Sequence, residues 1–170
     1  MTVTLNDVRA RLDPAALPAF AAGSVNLPQA GVKAGEMHKH LAEAASLIAS
    51  GHREDAHNRY DAALVAGAGA LMALLGVRLV NEFKGRRHWA SMHFLSAALQ
   101  AHDQPCPPIE ILIDVTRVRS WVDYDASIIA GELTPQRSDE ARQACDMVRR
   151  SMLAVLPSAV SVPVYPTQKP

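Results

Sequence analysis

The chain carries no excess of charge: 17 lysines and arginines stand against 17 aspartates and glutamates. A broadly basic surface is therefore excluded, and any contact with nucleic acid has to come from a local patch. Cysteine is scarce. Cys106 and Cys145 do not have the close spacing of a metal-binding pair, and two such thiols suit a reducing compartment. No apolar run approaches the ~20 residues of a membrane span. No basic stretch followed by an apolar one opens the chain as a signal peptide would. The expectation is a cytoplasmic protein without a membrane anchor. Strand-type alternation and repeats at a fixed period are both missing. A Gly-rich phosphate loop is missing too, because Gly67 and Gly69 stand inside a helical pattern without the Lys-Ser/Thr that completes such a loop. Nothing in the sequence implies a cofactor or a bound metal.

What is present is a chain of 170 residues, 49% hydrophobic, long enough for one domain with its own core. Residues 1–34 read as an arm, with Asn6 as the cap of one or two helical turns and Pro14, Pro18, Pro28, Gly23 and Gly31 breaking anything longer. Residues 35–156 read as the bundle and 157–170 as a tail with four prolines, extended or mobile. Helical periodicity places Met37, Leu41, Ala44 and Ile48 on the inner stripe of a first helix over 35–50. Tyr60, Leu64, Ala68, Leu71 and Leu75 form that of a second over 53–75. Gly51 sits where a helix C-terminus wants glycine, and the tight joint predicts antiparallel neighbours. Residues 76–85 are ambiguous between a short helix and extended chain. A third helix covers 86–101, with Trp89, Met92, Leu95 and Leu99 inward. A fourth starts at Pro108 and runs to about residue 130, and a last covers 135–156. The fold class expected is all-α, an up-and-down bundle of about five helices.

The fourth helix carries the densest chemistry. Ile111, Val115, Val118, Val122 and Ile129 recur at helical spacing, and two arginines, two aspartates, a tryptophan and a tyrosine crowd into 116–126. Arg119, Ser120, Asp123 and Tyr124 resemble the signature of the HEPN superfamily of small helical domains. Its motif reads arginine, a small polar residue, three variable residues and a histidine. Tyr124 stands in the histidine's place. Related members read arginine, polar, two variable, aspartate, tyrosine, and all four residues fit that form. The resemblance spans about 35–156. It implies the helix order above and a homodimer paired through the signature helix. In ribonuclease members, arginine and histidine of two subunits meet in a metal-independent cleft. There the histidine moves a proton and arginine neutralises phosphate.

From the residues themselves, Arg117, Arg119, Ser120, Asp123 and Tyr124 are the first candidates for ligand binding. Arg119 and Tyr124 are also catalytic candidates, although a phenol with a reference pKa of ~10 is a poor base at neutral pH. The competing reading is local pairing, Arg119 with Asp123 and Asp114 with Arg117, along one helix. Arg86, Arg87, His88 and His93 form a second candidate group, with Lys84 beside them. Arg86 and His93 lie about two turns apart on one face. Arg86 and Arg87 are candidates for phosphate contact and His93 for catalysis, against a merely solvated helix start. His38, His40, His52, His57 and His102 read as surface histidines, with Arg53 and His57 on one face. Ala62–Ala73 is dominated by Ala and Gly, which suits close backbone approach in a bundle or dimer. The expected function is binding a nucleotide, a nucleic acid (RNA) or a cognate partner protein, without catalysis. The alternatives are a toxin-type endoribonuclease using Arg119 in a dimer cleft, and a structural adaptor bundle.

Overall fold

A computed structural model of the chain describes residues 2–124 and 133–164, and the side chains of Lys84 and of residues 118–124 lie outside that description. The fold is an all-α bundle. Its elements in chain order are α1 (Leu5–Arg9), β1 (Phe20–Ala22), α2 (Leu27–Ala49), α3 (Arg53–Leu75), β2 (Val77–Leu79), α4 (Arg87–Ala101), α5 (Ile109–Tyr124) and α6 (Pro135–Val155). α3 is the central helix and touches α2, α4, α5 and α6. Its Tyr60, Leu64, Ala68 and Leu71 are buried, as their spacing predicts, together with Met37 and Ala44 of α2, Met92, Leu95 and Leu99 of α4, and Ala141, Val148 and Met152 of α6. No helix among the described residues is long and apolar enough to cross a membrane.

α2 starts at Leu27, well before the expected residue 35. Asn26 caps it, its Oδ1 accepting from Gln29 N at 2.9 Å, and Pro28 occupies the first turn, where the missing N–H costs nothing. Gly31 and Gly35 lie inside the helix because the C-terminal segment crosses it there. A Cβ on Gly31 would collide with the Ser161 carbonyl oxygen, and one on Gly35 would stand 2.9 Å from Pro163 Cδ. These glycines are points of close approach rather than breaks. Residues 157–164 of the tail are thus laid along α2. At the other end of α2, Gly51 takes φ +82° and turns the chain into α3.

The first residues also belong to the core. Thr4, not Asn6, caps α1, in a reciprocal capping box with Asp7. Val8, Leu12, Ala16, Ala19 and Phe20 are buried, and the Phe20 ring lies 5.1 Å from that of Phe94 in α4. A small sheet corrects the reading that found no strand. β1 and β2 pair antiparallel, Phe20 opposite Leu79 and Ala22 opposite Val77. Three-residue strands are too short to display an alternation, and their partners are far apart in sequence. The ambiguous 76–85 stretch divides into β2 and a 3-10 turn over Asn81–Arg86. On α5, Leu112 and Val115 face the core while Ile111 is only half-buried, so the inner stripe there is turned from the one expected. The side chains of Val118 and Val122 lie outside the described residues, as does Ile129.

Candidate functional site

A concavity of about 1240 Å³ lies between α2, α3 and α4. The Ala-Gly stretch of α3 contributes to its lining. Ala62, Ala66 and Gly69, one per helical turn, bring small residues of α3 to that lining. Between them, Gly67 instead admits the Met37 sulfur, and the stem of Lys33 lies across Gly69. Small residues here therefore serve both helix packing and the floor of a groove.

Polar side chains rim that floor. Lys33 Nζ pairs with Glu36 at 2.7 Å along α2. Glu43 Oε2 lies 3.2 Å from Arg59 Nε of α3 and 3.5 Å from His40 Nδ1, ion-pair distances without hydrogen-bond alignment. From the far wall, Arg87, His88 and Ser91 of α4 face the groove. His88 is tied to α3, its Nδ1 lying 2.9 Å from Asp61, whose side chain is fully buried. The basic run at the start of α4 is divided between two faces. Arg87 enters the groove, whereas the Arg86 guanidinium sits 4.1 Å over the Trp89 ring, which in turn meets the His93 ring at 4.6 Å, tilted by 60°. Arg86 and His93 do share a face, with Trp89 between them. Burial lowers the His93 pKa, and Asp13 partly opposes it.

A second, smaller pocket of about 340 Å³ lies between α3, α5 and α6. His57 lines it and corrects the surface reading of that histidine. It is buried, with Nε2 2.9 Å from Ser138 Oγ and its ring edge-on to Tyr60 at 5.6 Å. Burial above all, helped by the Arg137 charge, depresses its pKa to about 4, so the ring is neutral at physiological pH. Arg53, on the same face, donates to the Leu133 carbonyl at 3.2 Å. Arg117 is exposed at this pocket's rim. Asp114, expected to pair with Arg117 within its helix, takes a bidentate bond from Arg137 of α6, at 3.0 and 2.5 Å.

Of the candidate residues, Arg87 reaches the groove, Arg117 the smaller pocket, and Arg86 and His93 the Trp89 ring. The side chains of Arg119, Ser120, Asp123 and Tyr124 lie outside the described residues. Sequence reasoning missed Asp61, Glu43, Asn58 and Arg59. Asp61 alone left a signal, a carboxylate at the edge of an Ala-Gly stretch whose helical face is otherwise apolar. Among the described residues, no three His, Cys, Asp or Glu side chains come together as a metal site. No family model matches this chain, and neither does any curated protein or any solved structure.

Proposed function

We propose that the chain is a HEPN-like helical domain that binds a nucleotide or a nucleic acid, acts as a homodimer and performs no reaction on what it binds. The observation that carries this reading is the groove, where Lys33, Arg59, Arg87 and His88, with Glu36 and Asp55 among them, surround apolar side chains such as Ala62, Val65 and Met72. Apolar lining suits a base or sugar, and guanidinium groups suit phosphate. The Arg119, Ser120, Asp123 and Tyr124 pattern supports the family assignment. Tyr124 in place of histidine supports binding over catalysis, since a phenol stays protonated at neutral pH. Cys106 and Cys145 are free thiols, which supports a cytoplasmic setting.

The test combines binding, cleavage and mass. Single-stranded RNA and mononucleotides are titrated into the wild-type protein, Arg87→Ala and Arg117→Ala. The same RNA is followed for cleavage, and the mass is read by light scattering at micromolar concentration. Binding without cleavage by a dimer is the expected result. Robust cleavage lost on Arg119→Ala would favour the endoribonuclease instead. A monomer that binds neither RNA nor nucleotide would leave only the adaptor reading.

A further inference from the structure

Ser91, on the α4 wall of the groove, is a buried hydroxyl that the fold does not use. It is 1% exposed, it lines the groove, and its side chain makes no hydrogen bond among the described residues. Its oxygen is not one of the unpartnered atoms shut off from the surface, so it opens on the groove that the residue lines. Buried hydroxyls are normally bonded, and one that is not calls for an explanation. Arg87 and His88 line the same wall, four and three residues earlier, and so stand one helical turn away on the same face.

The surroundings give this wall its chemistry. The first turn of α4 has no acidic residue and no side-chain cap. Behind it, the fully buried Asp61 lies 2.9 Å from His88 Nδ1, which fixes the imidazole while a third of that side chain stays exposed. A carboxylate only accepts, so the imidazole donates through Nδ1. Arg87 is exposed and makes no ion pair among the described residues, whereas Lys33 is held by Glu36 and Arg59 by Glu43. Of the two carboxylates in the lining, Glu36 is thus already neutralised, and Asp55 stands in the first turn of α3. A guanidinium, an imidazole and a hydroxyl on one turn are donors to oxygen, and a phosphate accepts several such donors at once.

We infer that Arg87, His88 and Ser91 seat the phosphate of a mononucleotide, Ser91 donating its hydroxyl to a phosphate oxygen and Asp61 positioning His88 without touching the ligand. This deepens the nucleotide-binding reading above and rests on it. Burial separates the roles. The Ser91 hydroxyl bonds to nothing in the fold, so removing it breaks no internal bond and relieves an unsatisfied polar group. The Asp61 side chain has no exposed surface, so it acts on a ligand only through His88. Ala62, Val65 and Met72 elsewhere in the lining offer the base and sugar apolar contact, which selects no particular base. A hydrogen bond to a charged oxygen contributes about tenfold or more to affinity.

The experiment is calorimetric titration of the full chain with adenosine monophosphate, adenosine and inorganic phosphate. Wild type is compared with Ser91→Ala, Asp61→Asn, Arg87→Ala and Arg117→Ala, and each protein is also melted. Wild type should bind the nucleotide at least about tenfold more tightly than the nucleoside. Ser91→Ala should weaken the nucleotide about tenfold, leave the nucleoside unchanged and melt no lower than wild type. Arg87→Ala and Asp61→Asn should also weaken the nucleotide and spare the nucleoside. Equal affinity of wild type for nucleotide and nucleoside, or a Ser91→Ala protein that binds the nucleotide like wild type, would overturn the phosphate seat. A Ser91→Ala protein that melts well below wild type and loses both ligands alike would make the hydroxyl structural and overturn its assignment. Inorganic phosphate bound as tightly as the nucleotide, and weakened by Ser91→Ala, would uphold the seat and overturn the nucleotide as its source. Nucleotide binding that ignores the groove variants but fails in Arg117→Ala would overturn the seat and move the phosphate to the smaller pocket. Absence of binding by all three ligands would overturn the inference, and the broader reading would fall with it only if RNA also failed to bind.

Discussion

His88 of α4 and Asp61 of α3 are joined across the bundle at 2.9 Å, and the carboxylate end of that bond has no exposed surface. A buried carboxylate is costly unless charge and hydrogen bonds compensate it. His88 supplies one such bond while remaining a third exposed at the groove. The same contact therefore anchors the start of α4 on α3 and fixes one wall of the candidate site.

His88→Ala should destabilise the fold by about 2–3 kcal/mol. That lies below the usual range for breaking a fully buried pair, because one partner is a third exposed. Asp61→Asn should cost less, since an amide can still bond to the imidazole. Urea midpoints at pH 7 check both. A His88→Ala protein as stable as wild type would show that the bond contributes nothing to the fold.

His57 should make the fold acid-sensitive. Its folded-state pKa of about 4 lies below the ordinary 6.5, so the unfolded chain binds the proton more readily. The stability this represents is fully present above pH 6.5 and is lost as pH falls through about 4, on the order of 3 kcal/mol in all. His57→Gln keeps a hydrogen-bonding side chain facing Ser138 and should flatten the stability profile between pH 6.5 and 4. An unchanged profile would mean that carboxylates alone govern the acid limb.

Gly31→Ala separates helix propensity from packing. An exposed helix interior gains about 1 kcal/mol on this change. Here the new Cβ meets the Ser161 carbonyl oxygen, backbone rather than a flexible side-chain tip. Overpacking should win, with a net loss of about 1–2 kcal/mol or release of residues 157–164 from α2. Faster proteolytic trimming of the C-terminal segment reports release, and a lower melting temperature reports strain. A more stable Gly31→Ala protein with an unchanged trimming rate would contradict the close approach.

Arg137→Ala and Asp114→Ala form a double-mutant cycle across α5 and α6. The pair is bidentate but partly exposed, with the side chains at 24% and 38%. A coupling of about 0.5–1.5 kcal/mol is expected, reduced by salt. Zero coupling at low salt would show that this ion pair contributes nothing to the contact between the two helices.

Periodicity by itself determined the helices and most of their inner faces. Tyr60, Leu64, Ala68 and Leu71, like Met92, Leu95 and Leu99, are buried as their spacing predicts, although α3 and α4 bury residues on more than that one face. Local chemistry also marked the Gly51 turn and the start of α6 at Pro135. Tertiary structure decided what depends on residues distant in the chain. Gly31 and Pro28 read as breaks until the C-terminal segment is placed over one and the first helical turn is placed at the other. β1 and β2 are strands only because each finds the other. His57 looks like any surface histidine until Ser138 and Tyr60 close around it, and Asp114 leaves the partner three residues away for Arg137. The groove follows the same rule. Its small residues are visible in the sequence, but whether a small residue makes a tight contact or an open floor depends on what stands opposite. Met37 stands over Gly67, whereas the half-buried Ala62 lines the groove.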